Sequence, residues 1–256
     1  MHQLYQGLSQ RKIRLLIIGC GGNGSAIAGG LPYLDQALRA WGHQGLDVTL
    51  CDGERISATN CVRQPFSRAE IGMFKSTVIA GRTNAFWGLN WSAVTKHYTG
   101  ALQGVPSPDF VIGCVDSRKA RHSISGAFTK GEFPYWLDLG NKASVGQFVL
   151  GYDGRPTANG RGAPGSLPSV AKLMPEICDA ALDEDDDEPS CSAAEAIERQ
   201  EPFVNQVIAG HALALLTRLL RHGEISHHGG FISLESGTCS PIPIDPAYWK
   251  RLRRAA

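Results

Sequence analysis

The chain has 256 residues, 43% of them hydrophobic and 19% charged, with 25 Lys and Arg against 24 Asp and Glu for a net charge of +1. That length supports one sizeable core, and the near-neutral balance makes neither a polyanion-binding face nor a strongly acidic one, so nucleic acid is not the expected partner. No apolar run approaches the roughly 18 residues of a membrane span, and the opening "MHQLYQGLSQRKIRL" lacks the apolar segment and cleavage site of a secretory signal; a cytoplasmic protein with no membrane partner is expected.

The seven cysteines at 20, 51, 61, 114, 178, 191 and 239 form no C-x-x-C pair, so neither a disulfide scaffold nor a zinc site is expected. Cys20, Cys51 and Cys114 fall in or beside apolar runs that read as strands, where cysteine is usually a small buried hydrophobe.

In chain order, "IRLLIIG" (13–19) predicts a fully buried strand, and the small residues of 23–41 predict a helix broken near Pro32. "LDVTLCD" (46–52) is a second buried strand, 70–86 has helical spacing, "SAVTKHY" (92–98) is a candidate strand and "DFVIGCVD" (109–116) a strong one. A helix over 117–128 and two strands, "YWLDLG" (135–140) and "VGQFVLG" (145–151), follow. Buried strands alternating with helices predict an α/β fold: a doubly wound, Rossmann-like sheet, parallel in its N-terminal half and mixed or antiparallel in its C-terminal strands. A single domain is expected, with 152–190 as a flexible loop region that holds a short helical patch around Cys178 and the acidic run "DEDDDE" (183–188). The long helical pattern 192–223 divides near Pro202, and "GGFISLESGTCSPIPI" (229–244) closes with hairpin-like strands. His227 and His228 read as a solvated turn, and His211 as a packing residue of the long helix.

"GCGGNG" supplies Gly19, Gly21, Gly22 and Gly24 in G-x-G-x-x-G spacing between a strand and a helix, where the backbone must turn sharply and the helix end offers unpaired N–H groups to a phosphate. Asp52 ends the second strand, placed to accept hydrogen bonds from ribose hydroxyls. A nicotinamide dehydrogenase explains the chain equally well to this point. The next stretch, "DGERISATNCVRQPFSRAEIGMFKS", adds Arg55, Arg63, Arg68 and Lys75 with the amides of Asn60 and Gln64. A dinucleotide's pyrophosphate needs few side-chain cations, whereas a triphosphate carries about twice its charge and suits Arg63 and Lys75, unless Lys75 is an ordinary surface base. Asp116, at the carboxyl end of a predicted strand, is either a Mg²⁺ ligand or an N-cap for the next helix, or both. Arg118 and Arg121 either add positive potential or form a solvated helix face.

These residues together resemble the ubiquitin-activating-like superfamily that includes the bacterial ThiF, MoeB and HesA proteins. The resemblance rests on "GCGGNG", on "DGERISATNCVRQ" beside the pattern D-x-D-x-V-x-x-S-N-L-x-R-Q, on "IGMFKS" beside I-G-x-x-K and on "CVDS" beside C-x-D-N, over about 13–130. "YWLDLGNKASVGQFVLG" and "CSAAEAIERQEPFVNQVIAGHALALL" are similar to the ThiF-family member of the PRTRC gene systems, which also encode a small β-grasp protein and a JAB-type protein. The resemblance implies MgATP-dependent adenylation of the C-terminal carboxylate of a ubiquitin-like partner. It assigns Asp52 to the ribose, Asn60, Arg63 and Gln64 to the nucleotide and phosphates, Lys75 to the phosphates and Asp116 to the metal. A second step on sulfur would use Cys191, placed after the acidic run at the start of a helix, with Cys178 as runner-up; the nearby carboxylates oppose thiolate formation at Cys191. Glu54 and Thr59 depart from the pattern's Asp and Ser. The zinc-binding C-x-x-C pairs of many relatives are missing. The N-terminal segment that carries an arginine into a neighbouring subunit's site is not recognisable before residue 13, so a homodimer stays open as a partner while the resemblance does not supply that device for it. The rival readings are an NAD-dependent oxidoreductase and a non-catalytic binding module of the same fold.

Overall fold

The computed structural model describes residues 1–8, 11–154, 165–183 and 201–255. The ten strands among the described residues are β1 (His2–Gln3), β2 (Ile13–Ile18), β3 (Leu46–Cys51), β4 (Ser92–Val94), β5 (Phe110–Gly113), β6 (Tyr135–Asn141), β7 (Val145–Tyr152), β8 (Glu224–Ile225), β9 (His227–Ser233) and β10 (Thr238–Pro243). The described α-helices are α1 (Gly22–Ala40), α2 (Asn60–Arg63), α3 (Lys75–Trp87), α4 (Arg118–Lys130), α5 (Val170–Leu173), α6 (Val204–His222) and α7 (Pro246–Ala255).

Eight strands form one mixed sheet in the order β10-β9-β7-β6-β5-β2-β3-β4. Pairing is parallel from β4 through β6, and β7, β9 and β10 join antiparallel. The uninterrupted apolar runs follow from burial on both faces. In β2, Leu15 and Ile17 pack in one core with α1, α3 and α6, while Leu16 and Ile18 face a second core with α4 and α5. Successive strand side chains point to opposite faces, so a strand between two helix layers has no polar face to alternate with.

Several boundaries differ from the sequence expectation for identifiable reasons. Pro32 does not break α1: it is buried within a continuous helix, and α1 packs along α6. There Gly30 lets the two helices approach, since a Cβ would lie 2.3 Å from Leu213 Cδ1. The helix expected over 70–86 starts only at Lys75, because Gly72 adopts φ +89° and the chain before it makes a 3-10 turn, Arg68–Glu70. His228 is not in a solvated turn. It is fully buried in β9, its Nδ1 2.8 Å from Leu150 O and its ring edge-on to Trp249. His211 is exposed on α6, one face of its ring over Phe148. Within the stretch expected as a flexible loop, Leu167, Val170 and Leu173 are buried: Val170 and Leu173 join the core beside α4, and Leu167 pairs with Tyr152 and joins the core on the other face. Among the described residues no helix is long and apolar enough to cross a membrane.

Candidate active site

The sheet order reverses between β2 and β5, from which the chain runs to opposite sides, and a crevice opens there at the carboxyl ends of the strands. It is a cleft of about 670 Å³ lined by the β2–α1 turn, the ends of β3, β5 and β6, and the N-terminal ends of α3, α4 and α6.

The glycine turn is dictated by close contacts. Gly19 adopts φ +90°, and a Cβ on it would meet Cys114 O at 2.7 Å. Gly24 faces inward, where a Cβ would fall 1.8 Å from Gly19 O. Gly21 is the N-cap of α1, with neither a capping side chain nor an acidic residue in the first turn, so the helix end presents its amides to the cleft. Gly21 and Gly22 line the cleft with Gly19, whereas Gly24 supports the turn from behind.

Asp52, 8% exposed, ties this turn to the next loop: Oδ2 accepts from Cys20 N at 2.5 Å and Oδ1 from Glu54 N at 2.7 Å. Burial pushes its carboxyl above the usual range, opposed by these two amides and by Lys75. Lys75 is no surface base. It is 3% exposed at the first position of α3, and its Nζ pairs with Glu54, the residue that departs from the family's Asp. Arg63 and Gln64 reach the cleft from the end of α2, and Gln64 Oε1 is buried without a partner among the described residues. Asn60 is not among the lining residues, because its Oδ1 accepts from Ser57 N at 2.9 Å. Arg55 stacks over the Phe74 ring at 4.0 Å, and neither it nor Arg68 lines the cleft.

Across the cleft Asp116 is exposed, Oδ1 accepting from Ser117 N at 2.9 Å. It is not the N-cap of α4. Ser117 is, accepting from Ala120 N. Arg121, which the sequence left as a choice between added potential and a solvated face, is 6% exposed and lines the cleft floor. Its Nε donates to both oxygens of Asp138, at 3.0 and 3.2 Å, and its Nη2 to Val115 O at 2.7 Å. The signal for this pair was legible: an aspartate inside the apolar strand "YWLDLG" requires a buried cation. A group of carboxamides also escaped the sequence reading, namely Asn23, Asn141, Gln147 and Asn205, which line the same cleft from α1, β6, β7 and α6. Asn23 Nδ2 donates to Asn141 Oδ1 at 2.9 Å, while its own Oδ1 is buried without a partner among the described residues.

Cys191 lies outside the described residues. Cys178 is buried and burial pushes its thiol up to about 12, which opposes thiolate formation near neutral pH. Cys20, Cys51 and Cys114 are buried, as expected of small core residues. No group of three or more His, Cys, Asp or Glu able to hold a metal occurs among the described residues.

The ThiF family model matches residues 5–242. The chain belongs to the ThiF family. A curated relative, the adenylyltransferase and sulfurtransferase UBA4 of Eremothecium gossypii, is 30% identical over 119 residues, which is 45% of this chain and 25% of that protein. E. coli MccB with selenomethionyl MccA superimposes with a TM-score of 0.62 at 17% identity, over 93% of this chain and 66% of MccB. E. coli MccB with ATP gives 0.59 at 16% identity, over 92% of this chain and 65% of that one, and PaaA 0.60 at 16%, over 93% and 74%. These likenesses carry the fold. The chain spans a quarter of the UBA4 length and just under two thirds of MccB in these pairs.

Proposed function

We propose that this ThiF-family chain is an ATP-dependent adenylyltransferase that activates the C-terminal carboxylate of a small β-grasp, ubiquitin-like protein. The observation that carries the reading is the convergence of Arg63 and Lys75 with Asp116 around an uncapped, glycine-lined helix end. A redox dinucleotide needs no such set of side-chain cations, whereas a triphosphate does. Family membership and the similarity to a named adenylyltransferase support the same conclusion.

In this reading Asp52 receives the ribose hydroxyls, its second lone pairs being open beside the two amides it already accepts. The amides at the start of α1 and the Arg63 fork hold the phosphates, with Gln64 completing its unpartnered oxygen on the nucleotide. Lys75 exchanges its Glu54 counter-charge for phosphate. Mg²⁺ takes one or two carboxylates plus substrate phosphates, and the exposed Asp116 at the cleft edge suits that donor set; the ion would neutralise phosphate charge. The partner's carboxylate oxygen attacks the α-phosphorus, forming an acyl adenylate and releasing pyrophosphate. The chain's contribution is positioning and charge neutralisation, with no covalent step in the adenylation itself. Transfer to sulfur at Cys191 completes the reading. The PRTRC-like segments at 135–151 and 191–216 support a β-grasp protein of the same system as the partner.

The test is ATP–pyrophosphate exchange with purified β-grasp candidates. Exchange that requires the partner and falls by at least about a hundredfold in Arg63→Ala and in Asp116→Ala is expected. Exchange without any partner, or unaffected by both substitutions, overturns the reading.

A further inference from the structure

Of the six described cysteines, four are buried, and Cys61 is partly buried with its Sγ on Ser57 O. Cys239 differs. It is exposed on β10, the edge strand of the sheet, and its Sγ lies 3.7 Å from Nδ1 of His211 on α6. In the tautomer protonated at Nε2, Nδ1 accepts the thiol hydrogen, which is the arrangement of a nucleophile with its general base. The imidazole is backed by the buried Phe148 ring, 6.1 Å between centroids and 20° from parallel, which holds one face of the base. Partial burial raises the Cys239 thiol, so it is a poor spontaneous thiolate and gains most from an adjacent base.

The pair is aligned with the cleft. Cys239 is paired with Ile232, Ile232 with Gly146, and Gly146 with Asn141, so one row of the sheet runs from the thiol to a cleft-lining residue. Three interstrand steps span about 14 Å. Along α6, His211 follows the cleft-lining Asn205 by about 9 Å. Two other uses of such a pair fit less well. Among the described residues no third ligand completes a metal site, and every described cysteine is unbridged.

We propose that Cys239 and His211 form a second nucleophilic site, outside the nucleotide cleft, that accepts an acyl group from an activated carboxyl. The sulfur attacks the acyl carbon, His211 Nδ1 takes the thiol proton, the new C–S bond forms and the bond to the leaving group breaks with its electron pair. From an acyl adenylate the leaving group is AMP; from a thioester it is the departing thiol. The acyl-adenylate route rests on the adenylation reading, whereas the site itself does not, so the test uses a donor that bypasses ATP.

The full chain is incubated near neutral pH with a short peptide carrying a C-terminal mercaptoethanesulfonate thioester, and the adduct is located by intact mass and peptide mapping. A hydroxylamine-labile peptide adduct on Cys239 is expected, absent in Cys239→Ala. It should form at least tenfold slower in His211→Ala, with added imidazole restoring much of the rate, an effect that loss of packing alone would not produce. Unaltered thermal unfolding of both variants establishes that they fold. An adduct confined to Cys191 or another cysteine, or an unchanged rate in His211→Ala, overturns the proposal. Pyrophosphate exchange in the same preparations, with the β-grasp candidates added, separates the two readings. Exchange without acylation of Cys239 sinks this site alone, and acylation without exchange sinks adenylation alone.

Discussion

Replacing Arg121 by Met tests how the cleft floor is held. The guanidinium is 6% exposed and Asp138 fully buried, and Arg121 donates to both carboxylate oxygens and to Val115 O, one residue before Asp116. Methionine keeps most of the side-chain length but leaves Asp138 without a counter-charge and Val115 O without this donor. Removing one partner of a buried ion pair destabilises by about 3–5 kcal/mol, a large part of the roughly 5–15 kcal/mol that a domain holds in total. Urea unfolding at pH 7 should therefore show that loss. Burial already pushes the Asp138 carboxyl up against the opposing effect of Arg121, so in Arg121→Met its folded-state pKa rises further above the unfolded value. The variant should regain stability as the pH falls and Asp138 takes up a proton. The double variant Arg121→Met/Asp138→Leu, with no buried charge left, should recover most of the loss at pH 7. A single-variant loss below about 1 kcal/mol, or a double variant no better than the single, would refute the reasoning.

Gly24→Ala should prevent folding to the native turn, because its Cβ would fall 1.8 Å from the backbone oxygen of Gly19; a soluble variant with unchanged thermal unfolding contradicts this. His2 and His228 are held at about 4 by burial, against the backbone acceptors of Gly165 and Leu150 respectively. The unfolded chain takes up these protons first, near pH 6.5, so stability is complete above that pH and declines between about 6.5 and 4, by about 3 kcal/mol for each imidazole at the lower end. Acid titration of the unfolding free energy should show this limb, and it should shrink in His228→Asn. Glu54→Gln removes the counter-charge of the buried Lys75, so it should lower stability in the free protein and tighten MgATP binding; calorimetry showing weaker binding would remove Lys75 from the phosphate site.

The sheet and the glycine-turn side of the cleft were legible because local rules dictate them. An apolar run buried on both faces reads as a strand, a glycine at a strand–helix junction reads as a turn, and Asp52, Arg63, Gln64 and Lys75 follow within one connection. The opposite wall was not legible, since Asn23, Asn141, Gln147 and Asn205 are distant in sequence and meet only through the sheet order and the packing of α1 on α6. The same holds for Cys239 and His211, 28 residues apart and joined by an edge strand lying beside a helix. His228 was misread because "HHGG" has turn composition. The glycines there instead allow close strand packing, a Cβ on Gly229 lying 2.3 Å from Phe148 O. Pro32 was misread because propensity describes a helix in water, whereas this residue is buried.

In the proposed function the cleft is electrically matched to a nucleoside triphosphate. Parallel calorimetric titrations with MgATP and with NAD, on the unaltered chain and on Arg63→Ala, test it most directly. Saturable MgATP binding that weakens by at least tenfold in Arg63→Ala, with no heat from NAD, is the predicted result; NAD binding with no MgATP binding, or MgATP binding indifferent to Arg63, would contradict it.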